Sequence, residues 1–170
     1  MLIDQLQRKL LECPALAPAT AKLEAGEDAS IGLVASVRPF LVACAFARRP
    51  RPTLVVVSGE EAAERFANGV ASFIGREQVL VLPERRDLPW SDAAVDYKAL
   101  GQRTRAIGLL AAGRPVVVCA SARALLRRVA PAGSGFFSPL VITVGGGVVD
   151  GATGQLLEYE ELAGALLERG

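Results

Sequence analysis

A chain of 170 residues, 51% of them apolar, has material for one well-cored domain, or one domain and the start of another, and is not a disordered tail. Nineteen basic against eighteen acidic side chains leave a net charge of +1, which excludes bulk attraction to nucleic acid or an anionic membrane, although arginines crowd at residues 48–51, 103–105 and 123–128. There is no histidine, which removes the commonest general base and most zinc sites, and the distant Cys13, Cys44 and Cys119 read as reduced core thiols of a cytoplasmic protein.

Leu2, Leu6, Leu10 and Cys13 recur at helical spacing, and Pro14 and Pro18 are expected to end that helix. Residues 1–28 therefore read as a docking helix and loop. Asp4, Arg8, Lys9 and Glu12 exclude a signal peptide. Ala29–Val34 is expected to be the first strand, followed by a loop and an apolar helix with Pro39 in its first turn. The stretch ARRPRP breaks the helix and leads into a strand over Thr53–Val57, which makes a right-handed βαβ unit. Residues 31–47 are the most apolar run, but Ser36, Arg38 and Pro39 interrupt it and it is short for a membrane span, so it reads as buried.

Ser58 is expected to cap a helix over Glu60–Ile74 whose apolar stripe is Ala63, Phe66, Ala67, Val70 and Phe73/Ile74, with Gly75 ending it. A strand over Gln78–Leu82 follows, then an irregular stretch over Pro83–Asp96. A helix over Tyr97–Ala112 should bury Leu100, Ile107 and Leu110/Ala111. Arg114–Ala120 is expected to be a near-continuously apolar strand, as buried parallel strands are. Ser121 then caps a short helix with Leu125, Leu126 and Val129 inward and Arg123, Arg127 and Arg128 outward. Residues 29–131 thus form one α/β domain with a parallel sheet. Residues 132–138 read as a linker, and 139–170 as the truncated start of a second domain. In that last part Leu140–Val144 is expected to be a strand, Gly145–Gly154 a glycine-rich loop and Leu156–Arg169 a helix.

The loop after the expected first strand is where a nucleotide-binding fold holds phosphate. A P-loop needs G-x-x-x-x-G-K-[ST], for bare backbone amides, a neutralising lysine and a Mg²⁺-binding hydroxyl. Gly32 fits the first position, but Val37 replaces the second glycine, Arg38 the lysine and Pro39 the hydroxyl residue. Gly32, Ser36, Val37, Arg38 and Pro39 therefore read as a degenerate phosphate loop, Arg38 being solvated or bonded nearby. No cofactor and no metal site is expected.

Neither Asp92/Asp96 nor Glu60/Glu61 has a metal-like partner set, and no nucleophile–base pair is visible, so no catalytic residues are expected. Trp90 in DLPW either anchors a partner or, as expected, packs over a sheet edge. Arg123, Arg127 and Arg128, with Arg103 and Arg105, either track a phosphate backbone or, as expected, form a solvated helix face.

Several motifs fall in a specific order. Residues 32–38 match a GLSGSAR-like loop at Gly32, Leu33, Ser36 and Arg38. A VVxS-type strand follows at Val55–Ser58, an E-A-E-R-like helix at Glu61–Arg65, an Asp87-Leu88-Pro89-Trp90 segment, and S-x-R-A-L-L-x-R at Ser121–Arg128. Over Ala29–Pro131 the chain resembles the N-terminal region of the bacterial transcription-repair coupling factor family, itself similar to the excision-repair protein UvrB. The resemblance implies a P-loop-NTPase-like, helicase-lobe-like α/β fold kept as a non-catalytic scaffold. It implies a place in the region that recruits UvrA to RNA polymerase stalled at DNA damage. UvrA contact is expected mostly beyond these residues, and RNA polymerase and DNA contact only through downstream modules. UvrB itself is the rival. It keeps an intact P-loop and inserts a tyrosine-rich hairpin, for which residues 83–96 are too short and too poor in aromatics.

Overall fold

The computed structural model describes residues 16–85 and 96–126, together with residues 5, 8–9, 12–14, 129, 131, 140–143, 147–150, 154–158 and 161–164. The first full helix, α1, spans Ala17–Ala25. Pro18 lies in its first turn, where a missing N–H costs nothing, and so begins this helix instead of ending the previous one. No strand forms over residues 29–34, contrary to expectation. Gly32 sits mid-stretch and only Ile31 and Val34 are β-branched, too little side-chain surface to hold a strand, and Val34 is left exposed.

A 3₁₀ turn over Ala35–Val37 leads into α2 (Arg38–Arg48), with Pro39 in its first turn. Strand β1 (Thr53–Val57) and helix α3 (Glu60–Ile74) lie where the pattern predicts. Ser58 does not cap α3. Gly59 occupies that position in extended backbone, and its carbonyl accepts from Ala63 N at 3.0 Å. Gly75 closes α3 at φ +93°, a conformation that a Cβ resists. Then come β2 (Val79–Leu82), α4 (Tyr97–Ala111), β3 (Val117–Ser121) and a single turn, α5 (Ala122–Leu125). Asp96 caps α4, its carboxylate accepting from Ala99 N at 3.0 Å.

The three strands form a parallel sheet in the order β1-β3-β2, so the last strand in sequence is the central one. Alternation along β3 divides the core in two. Val117 and Cys119 face Ala43 and Phe46 of α2 and Ala63, Ala67 and Val70 of α3. Val118 and Ala120 face Ala106 of α4, with Leu82 and Ala124. The step from β1 to β2 crosses by α3 on one face. The step back from β2 to β3 crosses by α4 on the other, so both crossovers share one hand, as parallel βαβ units do.

A second, antiparallel sheet joins β4 (Leu140–Thr143), β5 (Gly147–Asp150) and β6 (Leu156–Leu157). This corrects two expectations, a loop over 145–154 and a helix from Leu156. Gly147 makes the hairpin possible: its φ is +80°, and a Cβ there would lie 2.9 Å from Leu156 Cδ1. Among the described residues of that last stretch, 161–164 are helical. No helix among the described residues is long and apolar enough to cross a membrane.

Candidate functional site

Two places in this fold invite a ligand: the loop that precedes α2, and the carboxyl edge of the parallel sheet.

The loop closes on itself. Val37 N donates to Val34 O at 3.0 Å and Arg38 N to Ala35 O, so two amides that a phosphate would need are spent in the 3₁₀ turn. Arg38 Nε donates to Leu33 O at 3.2 Å, which folds the guanidinium back onto its own loop. Gly32 keeps a negative φ, and a Cβ there would meet nothing within 4 Å, so no close backbone approach requires glycine. Ser36 is exposed.

Pro39 packs on α3: a Cβ added to Gly69 would come within 3.0 Å of Pro39 Cβ. Phe40 stacks obliquely on Phe73, centroids 4.9 Å apart. Gly69 and Phe73 belong to the last two turns of α3, the helix that carries the chain from the carboxyl end of β1 back to the amino end of β2. The start of α2 is therefore packed away from the carboxyl edge, where open α/β sheets hold their ligands.

At the carboxyl edge, β1 feeds α3 on one face, and the adjacent β3 feeds α5, whose Ala124 belongs to the core of the other face. This is the topological switch point of the sheet. A polar network fills it. Ser121 Oγ donates to Glu84 Oε1 at 2.5 Å, and Ala124 N donates to Ser121 Oγ at 3.0 Å. Glu84 N donates to Glu60 Oε1 at 3.1 Å. Arg103 is buried, with Nη1 donating to Pro83 O at 2.6 Å and Nη2 to Ala124 O at 3.2 Å. Loops from all three strands are thus tied to one another.

Chemically this network braces the edge. The Ser121 hydroxyl is 1% exposed and already engaged as both donor and acceptor, so it is not placed to attack a substrate. The carboxylates of Glu60 and Glu84 stand where an NTPase would need positive charge for phosphate. The buried thiols offer no alternative: loss of solvation pushes Cys44 up to about 11 and Cys119 up to about 12. Among the described residues no group of His, Cys, Asp or Glu is arranged to hold a metal ion.

The predicted basic face is not one face. Arg103 is buried instead of solvated, because its helix turns that position onto the sheet. Arg105 is exposed, and Arg123 is exposed and leans toward Glu84, Nη1 to Oε2 3.9 Å. Arg127, Arg128, Trp90 and Asp92 lie outside the described residues. Leu125, Leu126 and Val129, expected inward, are 39%, 83% and 52% exposed, and Ala124 alone of that turn is buried, because α5 lasts only one turn. Sequence reasoning missed Glu84 and misplaced Arg103. Arg103 had a signal, since it shares the spacing of Leu100, Ile107 and Leu110. Compared with known proteins, the chain matches no protein-family model and no curated protein.

Proposed function

We propose that the chain is a non-catalytic α/β scaffold from the N-terminal region of a transcription-repair coupling factor, built on the plan of a helicase-type nucleotide-binding lobe whose phosphate loop no longer binds. The ordered motifs from Gly32 to Arg128 support the family reading. A parallel sheet wound on both faces is compatible with it. The observation that carries the non-catalytic reading is the loop itself: its amides are spent in a 3₁₀ turn and its arginine is bonded to Leu33 O.

On this reading the chain works in the cytoplasm as part of a UvrB-like region that recruits UvrA to stalled RNA polymerase. Polymerase engagement and translocation along DNA belong to further modules. Titration with Mg-ATP by calorimetry tests the degenerate loop, and no heat of binding is expected. Micromolar binding with turnover would favour instead an active nucleotide-binding lobe of a UvrB- or helicase-type ATPase. The family reading has its own test in the coding sequence beyond Gly170, where a polymerase-binding module and helicase motifs are expected. An unrelated domain there would overturn it.

A further inference from the structure

In a parallel sheet every connection that enters a strand arrives at the same edge. Here each of the three connections brings arginine. Arg49 and Arg51 precede β1, Arg76 precedes β2 and Arg114 precedes β3, and all four are exposed. The pairing register sets Thr53 and Val79 on either side of Val117, so Arg51, Arg76 and Arg114 stand two or three residues before aligned positions. With strands about 4.8 Å apart, the three loops share an edge about 10 Å wide. None of the four arginines forms an ion pair within the described residues, whereas Arg65 pairs with Glu61 and Arg123 leans on Glu84.

Helix ends account for part of this charge. Helices α3 and α4 both terminate toward this edge, and two C-terminal dipoles amount to about −1 charge. Glu77 adds one negative charge. Four arginines exceed that sum, so the edge stays positive while Glu60, Glu61 and Glu84 lie at the opposite one. An aromatic ring lies beside it: Phe73, 37% exposed, is three residues before Arg76 with its ring held against Phe40.

We propose that the amino edge of the parallel sheet, through Arg49, Arg51, Arg76 and Arg114, binds the phosphate backbone of single-stranded nucleic acid. With the reach of arginine side chains on either side, the edge spans about three successive phosphates of a single strand, which four guanidinium groups on three loops can meet. Guanidinium suits phosphate by its fork of donors, and Phe73 offers a face on which a base stacks. The proposal does not depend on the coupling-factor reading, since it rests on register and charge alone.

The test is fluorescence anisotropy of a labelled, mixed-sequence single-stranded oligonucleotide with the whole chain. Binding is expected at low salt, with log K falling against log salt at a slope of about −2 to −3. Arg51→Ala, Arg76→Ala and Arg114→Ala should each lower the slope by about 0.7. The triple Arg→Lys variant at these positions should retain binding, and Arg123→Ala on the far edge should leave it unchanged. No binding by the unmodified chain at low salt would overturn the proposal, as would equal losses in Arg123→Ala and the amino-edge variants. Displacement of the oligonucleotide by polyglutamate as effectively as by unlabelled strand would also overturn it, and would assign the edge to an acidic protein partner.

Discussion

Ser121, the last residue of the central strand, donates its hydroxyl hydrogen to Glu84 at 2.5 Å, joining residues thirty-seven positions apart in sequence. The same hydroxyl caps α5 through Ala124 N. Removing it deprives a part-buried carboxylate oxygen of a donor and a helix turn of its cap. Ser121→Ala is expected to destabilise the fold by about 2 kcal/mol. Glu84→Gln should cost less, because an amide oxygen still accepts. A double-mutant cycle of Ser121→Ala with Glu84→Ala by urea denaturation should return a coupling of about 1 kcal/mol, and additive effects would show that the contact is not made.

Arg103 bridges the loops after β2 and β3 by donating to Pro83 O and Ala124 O. Arg103→Ala leaves two carbonyls without these donors and opens a void, for an expected loss of about 3 kcal/mol. Arg103→Lys keeps the charge but not the fork, and should recover less than half of that. Thermal melts followed by circular dichroism check the order: unmodified chain, then Lys, then Ala. A Lys variant as stable as the unmodified chain would mean the two-armed geometry does not matter.

The buried thiols give a pH dependence with a defined sign. Above the ordinary thiol value of 9.0 the unfolded chain ionises at cysteine, whereas the fold holds Cys44 and Cys119 protonated up to about 11 and about 12. The folded state then binds more protons, so stability is full below pH 9.0 and falls as pH rises toward about 12. Each thiol contributes a slope of up to about 1.4 kcal/mol per pH unit in its window. Denaturant midpoints measured across this range should fall less steeply in Cys119→Ala than in the unmodified chain. Under native conditions at neutral pH, a thiol reagent should modify the half-buried Cys13 before the buried Cys44 and Cys119.

Gly69 is a mid-helix glycine, and helix propensity alone says that alanine there should add about 1 kcal/mol of stability. The contact says otherwise, since a Cβ would lie 3.0 and 3.1 Å from two carbons of the rigid Pro39 ring. Gly69→Ala is expected to destabilise by about 1 kcal/mol through displacement of α2. Adding Pro39→Ala should relieve that strain, so the double variant should melt above Gly69→Ala alone. If Gly69→Ala stabilises the protein, α2 and α3 are not in close contact here.

What is legible in the sequence follows from which forces are local. The β-branched run Thr53–Val57 and the stripe Ala63, Ala67, Val70 carry their own periodicity, and both elements lie where expected. Gly75 was readable because no other residue adopts its φ so cheaply. Residues 29–34 failed as a strand because strand formation depends on a neighbour that sequence does not name. The antiparallel hairpin over Leu140–Asp150 was hidden because glycine content suggests looseness, whereas Gly147 is there to admit Leu156. At the loop before α2, Val37, Arg38 and Pro39 showed only a departure from the P-loop pattern, and the 3₁₀ turn that engages its amides is visible in the structure alone. Glu84 carried no local signal, since its role arises only when three loops meet.

The order of the parallel sheet also sets an order in time. Strands β1 and β2 do not touch; each is paired only through β3, which leaves the ribosome last of the three. A nascent chain that stops short of Val117 therefore has two strands and no sheet. The first hundred or so residues must wait, with their apolar stripes unburied, until a five-residue keystone is inserted between them.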